Sequence, residues 1–514
     1  METAATNPRR WLILAAMSMT MFIATVDNTV MTVGLPSIQR GLGASSAQLQ
    51  WALDAYTLAF ATLLFSMGLL GDRYGRRLVL IVGLVVFAGA SIGGAMSSSA
   101  GELIAWRAAM GVGAAVIPGC SMAVIAGVFP AAERTRAIGL WSMAAGVGIA
   151  AGPVFGGLLL AHFWWGSLLL VNVPFAVVAI AAIAVIVPDT RNPAARRLDV
   201  PGVLLSVAGI GLLVFGVVKG GEDPTWLEAQ VLGPIAAGLV LIAVLLLVES
   251  RMALPSFDPS LFKNRLFAIG AGVLCTSFLV GTGVNFVLTF YLQLVRDYSP
   301  TRTGLLMLAM AVGSLIAGIR AAQIVGVMGR AAALGASALL VAGCCAVFAV
   351  LGTGTPIWIF EIVYGLFGLG FGAAFAIGMA VTISVIEPAR MGAGSAVANT
   401  MRHMGTALGV AVLGSVLGSV YRHSLGSAAA AIPAASRSSL GSTLQALAGR
   451  SAPVRDAVLD PARNAFISGL HAAMWVSVGL AVITALAAFV GLPGKPKAQP
   501  VPRSSVEARS GSSL

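Results

Sequence analysis

Long apolar runs separated by short polar loops make up most of the chain. A bilayer core needs about 20 mainly apolar residues per helix. Runs of that length fall at about fourteen places: 11–34, 49–71, 78–97, 103–128, 136–160, 166–188, 200–218, 228–249, 267–294, 303–326, 331–351, 356–385, 394–420 and 465–491. Each is expected to be a membrane-crossing helix. The first run follows Pro8-Arg9-Arg10 like a signal peptide. It is too long for one, carries Asp27 and lacks a small-residue cleavage site, so it reads as a retained span. The seventh and eighth runs hold few polar residues and no motif, which suits helices facing lipid. The longest polar insertion, 421–464, is rich in Ser and Ala and contains Pro433, Pro453 and Pro461; a short amphipathic helix is expected over 439–447. The Pro-, Ser- and Lys/Arg-rich tail, 492–514, is expected to be disordered.

Composition turns this pattern into a class. The chain has 514 residues, 58% hydrophobic and 10% charged, against about 25% charged in a soluble domain. With a mean hydropathy of +0.94, one soluble globule is excluded and an all-α polytopic membrane protein is expected. The net charge of +12 would suggest nucleic acid in a soluble protein, but here it follows from loop arginines. With the N-terminus inside, 20 of the 31 Lys and Arg fall on the cytoplasmic side and 9 on the other. That bias predicts both termini in the cytoplasm. Cys120, Cys275, Cys344 and Cys345 lie in apolar runs without metal-ligand spacing and read as small buried hydrophobes.

A few polar residues interrupt the spans. Asp27 and Asp54 are embedded carboxylates, and Arg107 and Arg402 are embedded cations. Such residues are costly in a membrane, face the interior and are functional candidates. For Asp27 the competing reading is a buried acid held by Asn28 and Thr29 or by another helix. For Arg107 it is a structural ion pair, or snorkelling toward a surface. Asp54 binds a proton or cation, or sits in the wetter outer third of the bilayer. Glu361 reads as an interfacial acid, and His403 as packed rather than part of a proton relay. Glycine supplies a second signal. Gly148, Gly152, Gly156 and Gly157 recur at close to whole turns around Pro153, leaving a helix face bare enough for a neighbouring backbone to approach. Pro153 adds a bend.

Several of these segments resemble the major facilitator superfamily. The loop Gly68-Leu-Leu-Gly71-Asp72-Arg73-Tyr-Gly75-Arg76-Arg77 resembles its signature loop. That resemblance implies a latch that stabilises the outward-open state and loosens on switching. Leu103-Ile-Ala-Trp-Arg107-Ala-Ala-Met110-Gly111 resembles the arginine motif tied to proton coupling, with Met110 where Gln is usual. Gly148–Gly157 is similar to the motif of exporters that exchange substrate for protons. Val26-Asp27-Asn28-Thr29-Val30-Met-Thr32-Val-Gly34-Leu35-Pro36 resembles the first-helix motif of 14-span drug:proton antiporters, with Thr32 and Gly34 where Asn and Ala are usual. Asn399-Thr400-Met401-Arg402-His403-Met404-Gly405 resembles a later motif of the same family. The 318–330 loop echoes the Asp72 loop without its acid.

The resemblance implies a fold of two six-helix bundles, 11–188 and 267–491, with two additional central helices at 200–249. Residues 1–10 and 492–514 are expected as cytoplasmic tails, and 421–464 as an external loop. It also implies proton-driven export of hydrophobic or cationic drugs and antibiotics across a bacterial cytoplasmic membrane by alternating access. Asp27, Asp54, Arg107 and Arg402 are the proton or substrate candidates. A dedicated exporter of an endogenous metabolite or secreted antibiotic is the alternative. No enzyme is expected, because no nucleophile or His/Asp/Cys set clusters at membrane depth, and no P-loop pattern suggests ATP drive. The expected partners are the bilayer, protons and a small-molecule substrate, with no cofactor or metal, no nucleic acid, and a monomeric chain.

Overall fold

The computed structural model describes residues 8–188, 200–222, 227–251, 259–386, 391–426, 432–447 and 450–492. Some side chains within its helices, including that of Asp72, lie outside the described residues, as does the tail after Leu492. Every regular element among the described residues is helical: α1 (Arg10–Leu42), α2 (Ser46–Tyr74), α3 (Arg76–Ala95), α4 (Ala100–Ala114), α5 (Val116–Val128), α6 (Ala131–His162), α7 (Ser167–Leu170), α8 (Asn172–Ile186), α9 (Val200–Glu222), α10 (Ala229–Arg251), α11 (Arg265–Phe290), α12 (Pro300–Met328), α13 (Arg330–Phe348), α14 (Ile357–Ile383), α15 (Met391–Ser424), α16 (Leu440–Leu447) and α17 (Ala452–Gly491). Eleven helices among the described residues are long and apolar enough to cross a membrane.

Local chemistry sets the turns. Gly43 ends α1 at φ +63°, and Ser45 opens α2 through a reciprocal capping box with Gln48. Gly75 joins α2 to α3 at φ +105°, and Gly329 joins α12 to α13 at φ +82°. Both values are conformations that side chains other than glycine resist, so the two halves of the chain repeat one turn geometry. α6 runs unbroken through Pro153.

The insertion expected at 421–464 is mostly helical. α15 continues to Ser424, and α17 starts at Ala452 and passes through Pro461. At about 1.5 Å per residue these helices project past a hydrocarbon core about 30 Å thick. α16 occupies the expected amphipathic segment and buries Leu440, Gly441, Thr443 and Leu447.

α1–α8 pack chiefly on one another, through α1 with α6 and α8 and through α4 with α2 and α3. α11–α15 and α17 form a second group, through α11 with α15, α12 with α14, and α13 with α17. The groups meet along two seams, α2 with α15 and α6 with α12. α9 and α10 pair with each other. The expectation that both face lipid holds for α10, whose Leu239, Val240 and Leu247 are exposed. It holds in part for α9, which exposes Leu204, Val207 and Phe215 but buries Ile210, Val214 and Val218 against α2 and α15. Outward-facing Val82, Val85, Ile92, Ile319, Ile483 and Val490 would be unfavourable in water and suit a hydrocarbon surround.

Several contacts between the groups crowd toward the end that carries Gly43. Gln293 Nε2, in the buried π-turn Tyr291–Val295 that ends α11, donates to the Val33 carbonyl at 2.8 Å. Thr301 Oγ1 donates to the Gly157 carbonyl at 2.7 Å. α16 reaches across to α1, where Gln445 Nε2 donates to the Gln39 carbonyl at 2.9 Å. Gly304 faces the Pro153 carbonyl so closely that a methyl group there would collide with backbone. Gly304→Ala should therefore push α6 and α12 apart and open the Gly43 end. With an overpacking cost of about 1–3 kcal/mol, a thiol introduced by Gln293→Cys should react about tenfold faster with a membrane-impermeant reagent. Unchanged labelling would mean that this contact does not hold the end shut.

Candidate functional site

The site starts from one apolar environment and two opposite charges. Asp27 on α1 and Arg107 on α4 have no exposed side-chain surface, and Arg107 Nη1 donates to Asp27 Oδ2 at 2.6 Å. Asn172 Nδ2 on α8 donates to the other carboxylate oxygen at 2.7 Å. Arg107 Nε donates to the Ala52 carbonyl of α2 at 3.0 Å, and the guanidinium lies 4.4 Å from the centre of the Tyr56 ring. The Tyr56 hydroxyl donates to the Ala24 carbonyl at 3.3 Å. A lone charge here would be expensive. The pair, the amide and the ring together lower that cost.

This geometry decides between the competing roles of the embedded charges. Arg107 does not snorkel; it is a buried ion-pair partner. Asp27 is held by α4 and α8, not by Asn28 and Thr29. Thr29 Oγ1 turns to the Thr25 and Val26 carbonyls of its own helix. Met110, standing where a Gln is usual, leaves only a long contact to Arg107 Nη1, with its sulfur at 3.9 Å. Sequence reasoning alone does not single out Asn172. Its one signal is an amide inside an otherwise apolar span.

Asp54 is different. It is 1% exposed, and neither carboxylate oxygen has a partner among the described residues. It shares its helix face with Ala47, seven residues before it, and Leu58, four after it, and those residues pack against α9 and α15. It is therefore buried at a seam between the two groups. Glu361 is exposed, as an interfacial acid would be.

Arg402 and His403 lie on the α15 side. Arg402 Nη2 and His403 Nε2 are 2.8 Å apart, an arrangement in which the ring nitrogen accepts. Arg402 stands 5.5 Å from the centre of Phe278, and its buried Nε has no partner among the described residues. His403 packs on Phe60, ring centres 4.6 Å apart, and Phe60 stacks on Tyr56 at 6.1 Å. A row of aromatic contacts thus links the Asp27–Arg107 pair in one group to Arg402 in the other. Among the described residues, no group of three or more His, Cys, Asp and Glu could hold a metal ion.

The glycine helix α6 contacts both groups. A Cβ at Gly148 would stand 2.9 Å from the Phe22 carbonyl, and one at Gly156 3.3 Å from that of Val30. Gly152 admits Thr29 in direct contact. Gly157 instead faces α12, where a Cβ would stand 2.6 Å from Thr301 Cα. The segment 68–77, expected as a loop, is the end of α2 and the start of α3 joined at Gly75; in it Gly68 lies on Gly119 and Gly71 on the Cys120 sulfur. Arg76 Nη1 donates to the Ala123 carbonyl at 3.2 Å, whereas Arg73 is exposed beside Tyr74. The Asp72 side chain lies outside the described residues, so any ionic partner it has in a latch is not placed.

The model of the Major Facilitator Superfamily matches residues 17–410. The chain is 31% identical over 504 residues to the multidrug efflux pump LfrA of Mycolicibacterium smegmatis, covering 96% of this chain and 97% of that protein. It is 33% identical over 418 residues to the puromycin resistance protein pur8 of Streptomyces alboniger, covering 80% and 82%. Among solved structures, a bacterial homologue of the human lysosomal transporter Spinster, inward-facing and occupied, aligns with a TM-score of 0.66 at 17% identity, covering 94% and 97%; at that identity the likeness speaks for the fold alone.

Removing one member of a buried pair strands the other, at a cost of about 3–5 kcal/mol, whereas replacing both by apolar groups is close to neutral. Asp27→Asn should lower the melting temperature of the purified protein, and Asp27→Asn with Arg107→Met should recover much of the loss. Equal melting of the single and double variants would show that a stranded charge is not what costs the single variant its stability.

Proposed function

The chain belongs to the Major Facilitator Superfamily, and on that premise we propose that it is a proton-driven exporter of drugs or other hydrophobic or cationic small molecules. On this reading it crosses a bacterial cytoplasmic membrane fourteen times with both termini in the cytoplasm, so the Gly43 end is external. The two groups of helices are the two rocking halves, 11–188 and 267–491, and the pair at 200–249 is added to them. The names of the relatives, both resistance or efflux proteins, support the direction of transport. So does the glycine face of α6.

The observation that carries the proton assignment is Asp54, a carboxylate 1% exposed with both oxygens unpartnered among the described residues, at a seam between the halves. A buried acid in this position can take a proton without breaking an existing bond. Both oxygens of Asp27, by contrast, are already engaged, by Arg107 and Asn172. Asp27 and Arg107 therefore serve as a neutral unit that positions α1, α2, α4 and α8. Arg402 contributes to the substrate side.

Transport follows from alternation between two packings of the same halves. With the Gly43 end closed by Gln293, Thr301 and α16, cargo enters from the cytoplasmic side. Rocking about the α2–α15 and α6–α12 seams opens the external end. A proton taken by Asp54 favours release of cargo there, and return of the proton to the cytoplasm resets the cycle. Gly148, Gly152, Pro153, Gly156 and Gly157 keep α6 close enough to α1 and α12 to prevent leakage. Gly68, Gly71, Asp72, Arg73, Gly75 and Arg76 act as the cytoplasmic latch.

Vesicles loaded with ethidium should lose the dye on energisation, and collapsing the proton gradient should abolish the loss. Asp54→Asn should reduce gradient-driven loss to the background of empty vesicles, and Asp54→Glu should retain part of it. Dye loss that survives collapse of the gradient would remove proton coupling. Wild-type rates in Asp54→Asn would remove Asp54 from it.

A further inference from the structure

Besides Asp54, one more buried polar group on the same face of α2 lacks a partner. Gln50 is 2% exposed, and its Oε1 has no hydrogen bond among the described residues. Four residues apart, Gln50 and Asp54 lie one above the other, and Ser46, four residues earlier, continues the row to the Gly43 end. Two helices besides α2 wall this row. α15 brings Gly414 against the Gln50 amide, a position where any side chain would collide with it. α9 brings Ile210, Val214 and Val218. Ser415 Oγ ties these two helices together by donating to the Val217 carbonyl at 2.9 Å.

At the outer end of the row Ser46, Gln50, Val218, Gly414, Ser415 and Ser438 line a crevice with about 20 Å³ of room for water. One ordered water needs about 10–15 Å³ and two or more polar partners, so the crevice suits a single water. Arg422, at its rim, makes contacts of its own. Without α9 this stretch of the α2–α15 seam would face hydrocarbon, where an orphaned amide oxygen and a carboxylate are both costly.

Resting on the proton-export reading, we propose that α9 completes a water-lined proton port in which Gln50 relays protons from the external end to Asp54, apart from the path taken by cargo. A hydronium ion at the crevice gives one proton to a water held by Gln50 Oε1. That water passes one proton to the Asp54 carboxylate, which becomes a neutral acid, and the relay water is regenerated. The close fit of the Gln50 amide on Gly414 narrows the port while the Gly43 end is closed, and separation of α2 from α15 widens it. α9 thus seals this port from lipid.

Gln50→Leu keeps the bulk of the side chain and removes the relay. In the full-length protein in vesicles, proton uptake accompanying ethidium loss should slow at least tenfold, while ethidium binding to the purified variant stays within twofold of wild type. A second measurement does not depend on that variant folding. Ala47→Cys, on the port face, should react with a membrane-impermeant thiol reagent applied outside at least tenfold faster than Leu49→Cys, which points into the N-terminal group of helices. Wild-type proton uptake in Gln50→Leu, or equal labelling at 47 and 49, would overturn the port. If the wild-type protein loses ethidium with no proton uptake, the export mechanism fails instead, and the labelling contrast still decides whether the port exists.

Discussion

A carboxylate and a guanidinium that no solvent reaches hold the N-terminal half together. Asp27 and Arg107 come from α1 and α4, and their remaining bonding capacity draws in α8 through Asn172 and α2 through the Ala52 carbonyl and the Tyr56 ring. In a low-dielectric interior the cost of either charge alone is so high that each helix must keep its rotation and depth. The pair is better seen as a device for specifying an arrangement than as a source of net stability. By fixing α2, it also fixes the direction in which Asp54 and Gln50 point.

Against that rigid frame stand contacts made between bare helix faces. α6 lies on α1 through Gly148, Gly152 and Gly156 and on α12 through Gly157. Contacts between bare helix faces rest on van der Waals packing and weak polar bonds, without large side chains to unlock. A helix pair of this kind can part and rejoin at modest cost. The bonds that close the Gly43 end, from Gln293, Thr301 and Gln445, are single hydrogen bonds to backbone carbonyls. Each contributes about 0.5–1.5 kcal/mol, a scale that suits a reversible closure.

Much of this is legible in the sequence because hydrocarbon demands continuous apolar runs and makes every embedded charge conspicuous. Asp27, Asp54, Arg107 and Arg402 stand out for that reason, and so do the glycines around Pro153. The lengths of α1, α15 and α17 are less legible, since apolar content marks only the part of a helix inside the bilayer and says little about helical turns beyond it. Asn172 and Gln50 escape notice because a single amide in a span costs little enough to be common. The burial of one face of α9 is hidden because an apolar helix facing lipid and one facing protein have nearly the same composition.

Hydropathy, charge bias and glycine spacing by themselves determined that this chain is a helical membrane protein. They also determined which side chains had to be explained, because the cost of burying a charge or baring a helix face is a property of single residues and their neighbours in the chain. Only the tertiary structure decided how those residues divide the work. Asp27 is neutralised by a helix 80 residues away in sequence, while Asp54 is left without a partner among the described residues at a seam walled by α2, α9 and α15. Whether a buried acid is bound or free depends on what other helices bring within about 3 Å of it, and no local pattern in the chain carries that information.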